Sequence, residues 1–480
     1  MNSFLKLEYN NKFTYIYLFV IIFSYRFTLS ILNIFEFTTI TQDSLEYIDI
    51  ANSLKLYGVY GLDGVKDMNR TPTYPLFLLL INYLIGPDIE NIIFFQIIID
   101  TLTCLIIFRL SELFKLSLFS KVLLIFLLST CLYTISYTQL VMTETLYSFL
   151  ICLVMLFICE KKKNYNFFNF NLLSLFYIAL IFVLIILTRP IFVFTILFFL
   201  IFCFIYSSFS LKFSKKFFLD LKNYTILSFL IVAIMTPWIS RNIIIFKDDI
   251  FSKNSIATPL GYKTNINMWK PFYMKEFKSF LSSYEEPFLM LSPIEPPVKA
   301  KYIYDGEKED IELAFNNLNK IEDIKTGRSG KQLNYSKEIR NNFKTIADKR
   351  HDEKTLLFIT APISRVLKIL FAPRLSTFNE TKIASKINNF SGFNSNRTLL
   401  VSFMIYNFIY VFPALIFFII KKNYFNNKLF FLFSFSLILS HIYVYTVWVP
   451  APQSRYLIPL FPLFSLLTVI TIDRLKKYLN

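Results

Sequence analysis

Glycine is scarce in this chain, with 9 residues in 480. Transporters that work through broken helices use glycine where the backbone opens, so the shortage weighs against that class. Histidine is rarer still: His351 and His441 are the whole complement and share no ligand spacing. The five cysteines, Cys104, Cys131, Cys152, Cys159 and Cys203, all fall inside apolar segments. Neither a disulfide framework nor a zinc site is expected from that placement. A Gly-rich dinucleotide fingerprint is missing as well. Thr326-Gly327-Arg328-Ser329-Gly330-Lys331 lacks the spacing and flanking strand of a phosphate loop. A sugar donor bound on a Rossmann-type domain is therefore disfavoured.

What the chain has in excess is apolar surface. It is 55% hydrophobic, carries 57 Phe and has a mean hydropathy of +0.50. A soluble domain rarely passes half apolar content. Uncharged runs such as Leu172 to Leu187, Ile191 to Phe209 and Thr398 to Ile420 match the roughly 20 residues that cross a bilayer. The net charge of +17 would point a soluble protein toward nucleic acid. Here the basic residues sit in short loops between apolar runs, where they set orientation, and no nucleic-acid partner is expected. The first run, Tyr15 to Phe35, is too long for a signal peptide, contains Arg26 and has no small-residue cleavage site after it. It reads as an uncleaved transmembrane helix.

Placing the clusters Lys161–Lys163, Lys212–Lys222, Lys421–Lys428 and Arg474–Lys477 on the cytoplasmic side, with Arg109, Lys115 and Lys121, requires one alternation. The expected fold is an all-α polytopic membrane protein with about ten transmembrane helices. Expected spans are 14–35, 91–109, 118–137, 144–160, 168–187, 191–211, 224–240, 397–420, 428–449 and 456–473. Both termini are then cytoplasmic, in a plasma membrane. Three parts follow: a transmembrane module over 1–240 with a first outer loop at 36–90, an extracytoplasmic domain over 241–396, and C-terminal transmembrane helices over 397–480. The run Leu356 to Phe371, interrupted by Arg365 and Lys368, reads as an interfacial amphipathic helix.

In the first outer loop, Gln42 to Leu54 reads as a short helix with Leu45, Ile48, Ile50, Ala51 and Leu54 on its apolar face and Gly58 as its stop. Asp43 stands at the start, with Glu46 three residues on, and N-capping is its plainest role. Pro72 and Pro75 are expected to hold the residues before them extended. The apolar run to Ile85 is too short to span and is expected at the interface, with Arg70 at headgroup depth.

Several segments then fall in a particular order: Asp43, Tyr47 and Ala51; Arg70-Thr71-Pro72-Thr73-Tyr74-Pro75-Leu76-Phe77; Thr143-Glu144-Thr145-Leu146-Tyr147; Thr188-Arg189-Pro190; Pro237-Trp238-Ile239-Ser240-Arg241-Asn242; Ser255 to Asn265 with Gly261; and Arg455-Tyr456-Leu457-Ile458-Pro459. This set resembles the GT-C superfamily of polyprenyl-phosphate-sugar-dependent glycosyltransferases. The nearest branch is that of protein O-mannosyltransferase-like and aminoarabinose-transferase-like enzymes. The likeness covers residues 14–270 and 397–475 and departs at Gln453, Ser44 and Arg70, where relatives carry other residues.

The resemblance implies an inverting transfer of a sugar from a polyprenyl-phosphate carrier to a glycolipid, polysaccharide or protein on the outer face. A phosphate leaving group needs cations rather than a proton donor, and Arg suits phosphate because its planar fork donates two hydrogen bonds. The acceptor hydroxyl or amine must lose a proton to a carboxylate base. Asp43 is the expected base. Glu144 is the second acid, orienting the acceptor, holding a divalent metal ion or sharing the base role. Arg70, Arg241 and Arg455 are the donor-phosphate candidates, with Arg189 and Arg26 behind them. Tyr47, Tyr74, Trp238 and Tyr456 are expected to line the sugar or acceptor pocket. Rival classes are a lipid or solute transporter, a glycan polymerase or ligase, and a non-catalytic scaffold.

Overall fold

A computed structural model describes residues 11–32, 40–67, 70–160, 170–211, 214–247, 305–319, 361–371, 395–419, 428–448 and 454–479, with the single positions 342, 345, 346 and 349. The described chain is helical apart from one two-stranded hairpin. Helices α1 (Asn11–Leu32), α2 (Gln42–Tyr57), α3 (Thr73–Leu84), α4 (Ile89–Leu113), α5 (Leu118–Ser129), α6 (Leu132–Thr138) and α7 (Glu144–Glu160) come first. Helices α8 (Leu172–Ile186), α9 (Phe192–Leu211) and α10 (Lys215–Ile245) complete the N-terminal part. They are followed by α11 (Glu307–Asn319), α12 (Ala361–Phe371), α13 (Ser395–Ile416), α14 (Lys428–Tyr443) and α15 (Phe461–Leu479).

Among the described residues six helices are long and apolar enough to cross a membrane, or seven if the pair α5 and α6, bent by 43°, counts as one span. Each expected span falls on a helix, but α8 has 15 residues and α7 has 17. At 1.5 Å per residue, each is shorter than the roughly 30 Å of hydrocarbon. The chain is a multi-pass, mostly helical membrane protein. The expected domain over 241–396 lies largely outside the described residues, as do His351 and the Ser255–Asn265 segment. Within it, α12 falls inside the expected amphipathic run, burying Ile369 and Leu370 while Ile363 and Leu367 are exposed.

Burial separates the centre of the bundle from its rim. In the span Arg455–Lys477, 89% of the apolar stretch is buried, against 17% in Phe13–Leu32. Ile16, Tyr17, Val20, Ile21 and Ile31 of α1 stay exposed, as do Phe229 and Val232 of α10. Such rows are stable only against lipid, since a water-exposed apolar surface of that extent would aggregate.

The helices also share a polarity. Tyr15 near the start of α1 donates to Glu112 Oε2 at the end of α4 (2.6 Å), and Arg109 reaches Glu160 at the end of α7 (2.9 Å). Asp473 near the end of α15 accepts from Ser120 at the start of α5 (2.8 Å). The two terminal helices of the described chain therefore have their outer ends at one end of the bundle. The starts of α4, α7 and α9 and the ends of α8, α10 and α14 are at the other.

One ion pair crosses the interior. Arg26 is fully buried, and its Nε lies 2.9 Å from Asp100 Oδ2. Its Nη2 donates to Leu128 O (3.0 Å) and Cys104 Sγ (3.2 Å). Leu128 is in the last turn of α5, just before the bend, so Arg26 fills a carbonyl that the broken helix leaves open. Arg26 is thus withdrawn from the phosphate candidates. Either single substitution, Arg26→Met or Asp100→Leu, leaves an unmatched buried charge, and each is expected to cost about 3–5 kcal/mol. The double variant recovers most of that loss. Thermal unfolding of detergent-solubilised protein measures both, and equal melting of single and double variants would contradict the pairing.

Candidate functional site

The first outer segment is shaped by its caps. Thr41 and Ser44 form a reciprocal capping box at the start of α2, and Gly58 closes it in the left-handed region at φ 65, donating to Leu54 O. The expectation that Asp43 caps this helix is therefore corrected: Thr41 does that work and Asp43 is released for another partner. Leu45 is also reassigned, since it is half exposed while Tyr47, Ile50 and Ala51 are buried. After α2 comes a hairpin, β1 (Gly61–Leu62) against β2 (Val65–Lys66). Asp63 and Gly64 both have positive φ at its tip, the geometry that Asp-Gly favours in two-residue turns. A Cβ at Gly61 would lie 1.7 Å from Val65 O, so only glycine lets the strands close.

Pro75 does not hold Tyr74 extended as expected. Tyr74 lies in the first turn of α3, where proline loses no hydrogen bond because that turn has no intrahelical acceptor for its N–H. Tyr74 is fully buried and donates to Gln96 Oε1 (2.9 Å), so it is a wall of the site rather than an open pocket surface. Gln96 in turn donates to Thr138 O (3.0 Å) and Leu140 O (2.7 Å). Those bonds fasten the end of α6 and the turn that leads to Glu144. A second strap joins Thr73 N to Leu187 O (3.1 Å) and Thr71 Oγ1 to Thr188 O (3.3 Å). It sets the Arg70 segment beside the turn that carries Arg189.

On these supports two ion clusters assemble. In the first, Arg70 Nη2 donates to Asp43 Oδ1 (2.6 Å) and Arg70 Nε to Glu46 Oε2 (2.8 Å). In the second, Arg189 Nη2 is 2.5 Å from Glu144 Oε1, and Arg189 Nε donates to Thr143 Oγ1 (2.8 Å). Tyr47 joins them. The Arg70 guanidinium lies 5.0 Å from its ring centroid, and the Tyr74 ring meets it edge-on at 5.0 Å. Burial pushes the Tyr47 hydroxyl pKa up, the fields of Arg70 and Arg189 oppose that, and Asp43 and Glu144 add to it. Four of the five charged groups therefore act on one phenol, which stays neutral. Burial works against the Arg70 charge, but Tyr47, Asp43 and Glu46 outweigh it and hold its pKa above the ordinary arginine value.

Beneath Arg189, the Tyr147 ring lies 5.5 Å from the guanidinium, and the Tyr147 hydroxyl is 3.2 Å from His441 Nε2. His441 Nδ1 faces Leu437 O at 2.8 Å, which fixes the proton there and makes Nε2 the acceptor. The C-terminal wall is aromatic. Tyr445, in a π-helical segment (Val444–Trp448), stacks on Tyr456 at 3.7 Å and 2°. Arg455, in a 3-10 segment (Ser454–Leu460), lies 4.9 Å from the Tyr456 ring and donates to its hydroxyl (3.1 Å). Glu144 acts electrostatically on Arg455 as well.

Asp43, Glu144, Tyr47, Arg70, Arg455 and Tyr456 thus gather at one end of the bundle. Arg241 and Trp238 sit beside the site with other duties. Arg241 Nη2 donates to Tyr60 O (2.8 Å) and Asp67 O (3.1 Å), clasping the neck of the hairpin. Its guanidinium lies about 5 Å from both the Tyr60 and Trp238 rings, which meet each other edge-on. Donors so engaged are not available to a phosphate. Arg189, ranked low on sequence, proves central, and its signal was the turn Thr188-Arg189-Pro190. Gln96 had no signal, because an isolated glutamine in an apolar run shows nothing of its partners. Among the described residues no group of three or more His, Cys, Asp or Glu could hold a metal ion. No family model, curated protein or solved structure matches this chain.

Arg241→Gln is expected to loosen the hairpin alone. Losing two carbonyl bonds in a partly buried setting speeds amide exchange over residues 60–67 by roughly ten- to a hundredfold, with α15 unchanged. Hydrogen–deuterium exchange read by mass spectrometry checks this. Unchanged exchange in the hairpin would refute the clasp.

Proposed function

We propose that this chain is a membrane glycosyltransferase of the GT-C type, moving a sugar from a polyprenyl-phosphate carrier to a glycolipid, polysaccharide or protein acceptor. The observation that carries the reading is the convergence of Asp43 and Glu144, each with its own guanidinium, on Tyr47. In this reading the acceptor hydroxyl or amine attacks the anomeric carbon. The bond from that carbon to the phosphate oxygen breaks, and the phosphate leaves with the electron pair. The acceptor's proton passes to Asp43. A single displacement inverts the anomeric centre, and no acid need protonate the leaving group, unlike glycoside hydrolysis. Arg70 sets the orientation of the Asp43 carboxylate, and Glu144 orients the acceptor.

The same proposal carries ten membrane crossings, with α7 and α8 extended by flanking residues, an outer domain over 241–396, and both termini in the cytoplasm. Arg109, Lys115, Lys428, Lys476 and Lys477 cluster at the end opposite the site, which supports that orientation. The transporter reading is weaker, because the two charges that a midplane path would use, Arg26 and Asp100, close on each other.

Removing a general base lowers transfer by roughly 10²–10⁴-fold. Asp43→Asn is therefore expected to fold normally and to lose transfer by that factor, measured with labelled polyprenyl-phosphate sugars and purified protein in membrane extract. Near wild-type transfer by the variant would remove Asp43 as the base.

A further inference from the structure

The two ion clusters carry opposite net charge. Asp43, Glu46 and Arg70 sum to one excess negative charge, with both Arg70 contacts already spent on carboxylates. Glu144, Arg189 and Arg455 sum to one excess positive charge. Within that second group two polar atoms are unmet. Glu144 is 1% exposed, and its Oε2 has no hydrogen-bond partner. Arg455 Nε is buried without a partner, and Arg455 makes no ion pair among the described residues. A buried cation without a counter-ion costs free energy, and an arriving anion that pairs with it recovers that cost.

We infer that the lipid-linked phosphate docks between Arg455 and Arg189, and that the Asp43–Glu46–Arg70 cluster faces the acceptor nucleophile instead. This deepens the glycosyl-transfer reading and rests on it. It also divides the arginines by availability. Arg241 is committed to backbone carbonyls and Arg70 to two carboxylates, so neither offers a phosphate an unpaired fork. Arg455 offers its free Nε edge, and Arg189 adds its charge from across Glu144. The Tyr445–Tyr456 stack holds the Arg455 side chain in place by its ring and hydroxyl. The acceptor approaches from the Asp43 side, and the anomeric carbon lies between it and the phosphate, which is the in-line order that inversion needs. The excess negative charge around Asp43 repels a phosphate and favours a neutral hydroxyl or a cationic amine.

The test measures binding of undecaprenyl phosphate, undecaprenol and inorganic phosphate to purified full-length protein in lipid nanodiscs. The wild type is expected to bind the phosphate lipid well above the alcohol. Arg455→Gln should weaken the phosphate lipid by roughly ten- to a hundredfold, the effect of losing a charge-assisted hydrogen bond, and leave undecaprenol unchanged. Arg455→Lys should recover part of the loss, which a folding defect would not permit. Arg70→Gln should leave phosphate-lipid binding near the wild type. If Arg70→Gln loses the phosphate lipid while Arg455→Gln keeps it, the allocation is overturned and glycosyl transfer stands. If the wild type does not distinguish the phosphate lipid from undecaprenol, glycosyl transfer itself falls. Tight competition by inorganic phosphate alone would overturn the lipid-linked assignment in favour of a free anion.

Discussion

Buried charge is costly when unmatched, and among the described residues this molecule pairs its site charges across distant segments. Arg70 meets Asp43 and Glu46 from 27 and 24 residues away, and Arg189 meets Glu144 from a different turn. Both clusters act electrostatically on the buried Tyr47. Near lipid the local dielectric is low, and such pairs are stronger and more costly to break than on a water-exposed surface. The pairing within each cluster sets the geometry on which the chemistry of the site depends.

The pairs hold because the backbone beneath them is fastened. Gln96 grips two carbonyls at the end of α6, and the Thr71–Thr73 strap ties the Arg70 segment to the turn at 187–189. Arg241 closes the hairpin neck. Each is a donor satisfying a carbonyl that a helix end or loop leaves open, and an open carbonyl buried away from water is expensive. The charged residues are therefore presented by rigid elements, although all of them lie at helix ends or in turns. Rigid presentation is what a positioned carboxylate or guanidinium requires to act on a reacting atom.

Much of this was legible in the chain. Long apolar runs marked the helices, because backbone groups in lipid must pair within their own segment. Glu144 at the first turn of its helix, Gly58 at the stop of α2 and the order of the polar motifs were all readable. Other features were misread for definite reasons. Asp43 has the right chemistry for a cap, but Thr41 stands two residues earlier and carries the reciprocal partner Ser44. Tyr74 precedes a proline, yet helix starts tolerate proline and α3 begins there. The hairpin at 61–66 has only a two-residue local signal, Asp63-Gly64 at its tip. Arg241, a phosphate candidate by its motif, instead has Nη2 donating to Tyr60 O and Asp67 O and Nη1 to Asn242 Oδ1.

By itself, the sequence determined that the chain lives in a membrane, which segments are helical, and which residues carry charge at their ends. These are local properties: hydropathy, periodicity and turn chemistry are read over a few neighbours. Only the tertiary structure decided how the charges pair. It set Arg26 against Asp100, gave Arg70 two carboxylates, and left Arg455 with an unmatched donor. Pairing depends on which helix ends meet across the bundle, and long-range contacts of that kind leave no periodic trace in one chain. The availability of a guanidinium is a property of its neighbours, and so it belongs to the fold.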